Sequence, residues 1–233
     1  MRQAMDTLFE AHGASVLAVA GSDALFPVHR VYCVGRNYAA HAREMGATEK
    51  EAPFFFSKPP DAPTQAAAVA YPPATSELHH EVELVVALGR GGRAIAETDA
   101  LEHVYGYAVG VDLTRRDLQA AAKREGRPWD VAKGFDESAP ISEIHPVAEV
   151  GHPTRGVIDL NVNGDLRQRG ELADMIWPVA AIIAALSRYF LLCPGDLVFT
   201  GTPEGVGPLA VGDEVHCRVE GVGAHRFRMV APR

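Results

Sequence analysis

The chain has 233 residues, 47% of them hydrophobic and 22% charged, with a formal net charge of −8. A chain of this length buries a core without staples, which excludes a wholly disordered protein. The acidic balance, with no Lys/Arg-rich run, excludes a general nucleic-acid binder, whose affinity comes from neutralising phosphates.

At roughly 150 residues per domain the length predicts one large domain, or one domain with a small appendage. Residues 1–30 read as an N-terminal extension: a helical piece, a strand near Ser15–Ala20 and a turn at Gly21-Ser22-Asp23. Ala18-Val19-Ala20 looks like a signal-peptidase site, but Asp6, Glu10 and His12 precede it and the apolar stretch runs only from Ala14 to Ala20, so a strand is expected. The main domain, 31–233, begins with a strand at Val31–Val34. Gly35-Arg36-Asn37 breaks it, Tyr38–Met45 reads as a short helix and residues 46–53 as a polar loop. Phe54-Phe55-Phe56 reads as a buried strand ended by Pro59-Pro60. Residues 77–88 read as one strand, Val104–Leu113 as another, and Thr114–Arg124 as a polar helix ending at Gly126. Asn163-Gly164 after Ile158–Val162 is a strong hairpin signal. Residues 179–192 place Ile182, Ile183, Leu186 and Phe190 on one helical face. Leu197–Thr200 and Val215–Val219 read as strands, the latter turned by Gly221-Val222-Gly223 into a last strand. The irregular alternation of strands and helices predicts an α+β fold with a mixed, rolled sheet.

The longest apolar run, Trp177–Leu186, contains Pro178 and is too short to span a bilayer, so no membrane partner is expected. Cys33, Cys193 and Cys217 are odd in number and lack CxxC spacing. Buried free thiols and a reducing cytoplasm are expected.

Glu81 and Glu83 lie two residues apart on a predicted strand, which points both carboxylates to one face. Asp112 ends a second strand. Two carboxylates ~4 Å apart repel by ~4 kcal/mol at an effective dielectric of 20, so three that converge require a proton or a cation. All-oxygen ligation selects a hard ion: Mg²⁺, with Mn²⁺ or Ca²⁺ as substitutes. The spacing alone is a weak signal that the solvent face of an edge strand also fits, and His79, which shares the face of Glu81, opens a transition-metal alternative. His41 and Glu44, at i and i+3 on a short helix, can form a general acid–base pair, although an ordinary solvated face carries the same pattern. Arg116 and Gln119 are likewise at i and i+3, just after Asp112, and both are natural carboxylate binders. Lys133 follows a turn, where it can stabilise an enolate oxygen or be an ordinary surface lysine. Gly201-Thr202-Pro203-Glu204-Gly205-Val206-Gly207 follows a strand and can expose N–H groups to an anion, but it is not a nucleotide P-loop. GxSxG, HExxH and GxGxxG are absent, which removes support for serine-hydrolase, zincin and Rossmann chemistry.

Six segments together carry a resemblance: VYCVGRNYAAHAREMG (31–46), LHHEVELVVALG (78–89), YAVGVDLTRRDLQ (107–119), GRPWDVAKGFD (126–136), NVNGDLRQ (161–168) and PGDLVFTGTPEGVGP (194–208). Over roughly residues 25–230 the chain resembles the fumarylacetoacetate hydrolase family. Within it, FPVHRVYCVGRNY and HPVAEVGHP are most similar to bacterial members that act on fumarylpyruvate in gentisate-type aromatic degradation. The resemblance implies a β-sandwich roll, a homodimer, a Mg²⁺-dependent site and a keto-acid substrate. It implies Glu81, Glu83 and Asp112 as metal ligands and His41 and Glu44 as a water-activating lid pair. Lys133 would stand beside the metal, with Arg116, Gln119 and Thr202 contacting substrate. His79 is not a ligand in the family. The expected reaction is hydrolysis of a carbon–carbon bond in a β-diketo acid, beneath a lid formed by residues 35–53. Oxaloacetate decarboxylation and dienoic-diacid isomerisation are alternatives for the same site, and a non-catalytic carboxylate-binding module is a third. Arg36 and Arg127 are candidates for a distal carboxylate pocket. The chain departs from the family pattern at Pro178-Val179-Ala180-Ala181, a change at a helix start.

Overall fold

The computed structural model describes residue 13 and residues 15–38 and 52–233. The N-terminal helical piece and nearly all of the expected helix over Tyr38–Met45 and the loop after it, with His41 and Glu44, lie outside the described residues.

A six-stranded sheet forms the centre, in the order His145–Pro146, Val104–Val111, Val82–Leu88, Asp196–Phe199, Arg30–Gly35, Phe54–Lys58. Its pairings are antiparallel except for Asp196–Phe199 against Arg30–Gly35, which is parallel. A second, five-stranded sheet runs Asp165–Glu171, Val157–Val162, Glu214–Val219, Gly223–Val230, Ala68–Ala70. The mixed sheets, with helices on the periphery, make an α+β fold.

Both faces of the central sheet are covered. Leu84, Val86 and Leu88 join Ile158, Leu160, Val215 and Phe227 of the second sheet, together with Ile182, Ile183 and Leu186 of the helix Val179–Tyr189. Val85 and Ala87 face the other way, onto a second core with Leu17, Val19, Phe26, Ile141 and Ile144. Burial on both faces is why residues 84–88 read as a continuous apolar run, where a half-exposed strand would alternate. Leu17, Val19 and Phe26 come from a hairpin, Val16–Val19 with Ser22–Pro27. Its turn sits at Ala20-Gly21, so Ser22 and Asp23 belong to the strand and not to the turn expected there.

The expected single strand over 77–88 is two strands. Leu78–His80 pairs with Thr114–Arg115 and Gly207–Leu209 in a small separate sheet, and the chain enters the central sheet at Val82. Glu81 sits at the crossing. Periodicity cannot see this change, because both segments are extended. Thr114 likewise belongs to a strand, and the helix begins at Arg116. Gly126 ends that helix in the left-handed conformation (φ 64°), and Asn163-Gly164 makes the expected turn with φ of 54° and 86°.

Phe54–Lys58 reverses its expected burial: the three rings are half-buried and Lys58 is buried. Phe190 stands beyond the helix Val179–Tyr189, in extended backbone, with its ring 5.0 Å from that of Tyr32. Cys33 and Cys217 are buried free thiols, whereas Cys193 is only partly buried. Among the described residues no helix is long and apolar enough to cross a membrane.

Candidate metal and substrate site

The crossing at Glu81 creates the site. Glu81 precedes the central strand, Glu83 lies inside it, and Asp112 follows the neighbouring strand Val104–Val111. The Asp112 backbone N–H donates to the Glu81 carbonyl at 2.8 Å, which holds the two strand ends together. One carboxylate oxygen from each of the three lies within 4.8 Å of the others, and all three residues are buried. Oxygens ~2.0–2.6 Å from a shared ion are at most ~5 Å apart, so the donor set fits a hard divalent cation. Among the described residues neither Cys nor His joins the group. His79 instead accepts from Arg116 Nε at 3.4 Å, and burial, then Arg116, lowers its pKa.

Among the described residues three cations hold Glu81 and Asp112. Lys133 Nζ donates to Glu81 Oε2 at 2.9 Å, Asp112 Oδ2 at 2.6 Å and Thr114 Oγ1 at 2.6 Å. Lys58 Nζ lies 2.8 Å from Asp112 Oδ1 and also donates to the carbonyls of Leu113 and Lys133. Arg116 reaches Glu81 Oε1 at 2.5 Å and Gln119 Oε1 at 2.6 Å. Burial alone would lower the pKa of Lys133, but Asp112 and Glu81 outweigh it and hold the ammonium charged up to about 12. Glu83 is pushed the other way, well above the carboxylate range, by burial and then by Asp112 and Glu81. A divalent cation would reverse that shift.

The glycine loop does bind an anion, but the protein's own: Gly201 N–H donates to Glu83 Oε2 at 2.7 Å. Gly201 has φ +99°, and a Cβ there would stand 2.7 Å from the Asn37 Cβ, so glycine is required. Thr202 is buried and accepts from Gln168 Nε2 at 2.8 Å. The Gln168 oxygen receives the Val82 N–H at 3.1 Å and faces His80 Nδ1 at 2.8 Å, so one amide ties the acid-bearing strand to the loop.

A pocket opens over the acids. Glu81, Glu83, Lys133, Arg116, Gln119 and Thr202 line it, with Arg36, Lys123, Trp129, Phe54 and Phe56 further along its walls. Seven of the nine residues singled out by sequence are thereby brought together: Glu81, Glu83, Asp112, Lys133, Arg116, Gln119 and Thr202. The other two, His41 and Glu44, lie outside the described residues. Arg127 borders an adjoining groove, which shares Phe54, Phe56, Trp129 and Lys133 with this pocket, and pairs with Glu125 at 2.8 Å. Sequence reading missed Lys58, Gln168 and Lys123. Lys58 shares the strand parity of Phe54 and Phe56, but parity alone does not bury a lysine at the end of a strand.

The family profile described as fumarylacetoacetate (FAA) hydrolase, C-terminal, matches residues 30–230. A fumarylpyruvate hydrolase from a Ralstonia species is 49% identical over 173 residues, covering 74% of this chain and 90% of that protein. An oxaloacetate tautomerase from Escherichia coli is 44% identical over 198 residues, covering 84% of this chain and 90% of that one. The crystal structure of fumarylpyruvate hydrolase from Pseudomonas aeruginosa, in complex with Mn²⁺ and pyruvate, superposes with a TM-score of 0.94 at 51% identity, covering 97% of this chain and 100% of that one.

Proposed function

The chain belongs to the fumarylacetoacetate hydrolase family, and from that premise we propose that it hydrolyses an acylpyruvate, fumarylpyruvate, to fumarate and pyruvate. The observation that carries this reading is the buried triad Glu81, Glu83 and Asp112 at the base of a pocket that also presents Lys133, Arg116, Gln119 and Thr202. The relatives named for fumarylpyruvate hydrolysis support it.

Glu81, Glu83 and Asp112 would hold a divalent cation, Mg²⁺ with Mn²⁺ or Ca²⁺ as substitutes, which when bound supplies positive charge to the keto and carboxylate oxygens of the substrate. Arg116, supported by Gln119, holds the pyruvyl carboxylate, and the Thr202 hydroxyl donates to it. His41, oriented by Glu44, takes a proton from water, and the hydroxide attacks the acyl carbonyl. The bond between that carbon and the methylene breaks, and its electron pair passes into the pyruvyl enolate. Lys133 Nζ faces the developing negative charge. The enolate carbon then takes a proton from the His41 imidazolium, giving pyruvate and the free acid. His41 and Glu44 enter on their sequence positions, and they stand in the segment between the strands Arg30–Gly35 and Phe54–Lys58 that border the pocket.

We also propose a homodimer acting on a small keto acid, with residues 1–30 an extension of the catalytic domain 31–233. Tyr189, Phe190 and Leu191 are exposed, with Tyr189 against half-buried Phe55 on the strand Phe54–Lys58, an apolar surface suited to a second copy.

A second reading is favoured by the likeness to the oxaloacetate tautomerase: proton transfer between the enol and keto forms of oxaloacetate, without cleavage. A product assay on purified protein with and without Mg²⁺ decides between them. Metal-dependent formation of fumarate and pyruvate in equal amounts is the expected result. No cleavage, with oxaloacetate tautomerised or decarboxylated instead, overturns it.

A further inference from the structure

The helix Arg116–Glu125 presents three residues to the pocket: Arg116, Gln119 and Lys123, at i, i+3 and i+7 along one face. At ~1.5 Å rise per residue Arg116 and Lys123 are ~10 Å apart along the axis, the scale of an extended keto diacid. Arg116 and Lys133, at the near end, are engaged with Glu81 and Asp112. Lys123 is half-buried and has no ion-pair partner among the described residues. Its ammonium lies 5.0 Å from the centre of the Trp129 ring. Burial, then the charges of Arg116 and Arg36, lowers its pKa to about 8, while Glu81 opposes and Lys133 adds to the shift. A carboxylate placed here would meet a cation that no described carboxylate pairs and would relieve repulsion among neighbouring cations.

We propose that Lys123 binds the distal carboxylate of a dicarboxylic acylpyruvate, with Trp129 as the wall beside it, and so sets preference for a fumaryl over an acetyl group. This assignment rests on the acylpyruvate reading. Lys123 is a specificity-determining residue and takes no part in bond cleavage.

The test compares kcat/KM for fumarylpyruvate and for acetylpyruvate, which lacks the distal carboxylate, in the Mg²⁺-loaded full chain. For Lys123→Met the ratio of the two is expected to fall ~10–100-fold, the range for a hydrogen bond between charged groups, chiefly through KM for the diacid. Lys123→Arg should restore most of the ratio, and Lys123→Gln, run alongside, covers a folding failure of the methionine variant. An unchanged ratio, whether both rates fall equally or neither falls, overturns the assignment and leaves the hydrolase reading standing. A wild-type protein that cleaves neither substrate overturns both.

Discussion

The floor of the pocket and its outer wall both carry cations, held in opposite ways. On the floor, Lys58, Lys133 and Arg116 are buried or nearly so, and each is bonded to a carboxylate. On the outer wall Lys123 is half-solvated, beside an aromatic ring and other cations. The same residue type is therefore fixed and permanently charged in one place, with a pKa of about 12 for Lys133, and poised near neutral pH in the other, with about 8 for Lys123. The floor suits chemistry that needs an invariant charge, and the wall suits recognition of an anion that brings its own.

The contrast breaks most completely at Asp112. Asp112→Ala should lower kcat/KM by more than ~10³-fold, since it removes a ligand and a partner of both buried lysines. It should also cost ~3–5 kcal/mol of stability in urea unfolding, because buried charges lose their counter-ion. Lys133→Met should reduce kcat ~10²–10³-fold while pyruvate or oxalate still binds in calorimetry, the pattern of a group that acts on developing charge. Lys58→Met leaves the reacting region itself untouched, so a smaller effect is expected, ~10–100-fold weaker metal binding by titration. Raising the pH sharpens the contrast. Lys123 is protonated below about 8 and loses its charge above it, so KM for a diacid should rise from pH 7 to 9.5. Smallest of all, Arg127→Ala should change kcat/KM by less than about threefold, because its exposed guanidinium already pairs with Glu125.

Much of the floor was legible in the chain, though partly by a route the structure alters. The spacing of Glu81 and Glu83 does bring their carboxylates together, yet the strand that was to align them breaks at Glu81 and resumes in another sheet. Asn163-Gly164 and Gly126 were legible because their backbone conformations are local. Lys58 was not, since a lysine before Pro59-Pro60 reads as the solvated end of a strand, and only the packing of Asp112 beneath it explains its burial. Gln168 sits in the polar run Asp165–Glu171, whose sequence gives no sign that this one amide reaches the strand Val82–Leu88. Lys123 looked like any helix-surface lysine. It becomes distinctive only once Trp129, 5.0 Å away, and Arg36 are folded against its pocket.

The balance of charge on the floor has a thermodynamic consequence. Beside a divalent ion Glu83 ionises as well, so that among the described residues three carboxylates then face three cations and the ion leaves two positive charges in a buried space. An α-keto acid that enters with its own negative charge cancels part of that excess. Ion and substrate must then favour each other's binding by the same factor, in whichever order they arrive. The protein would hold its ion loosely when idle and firmly while at work.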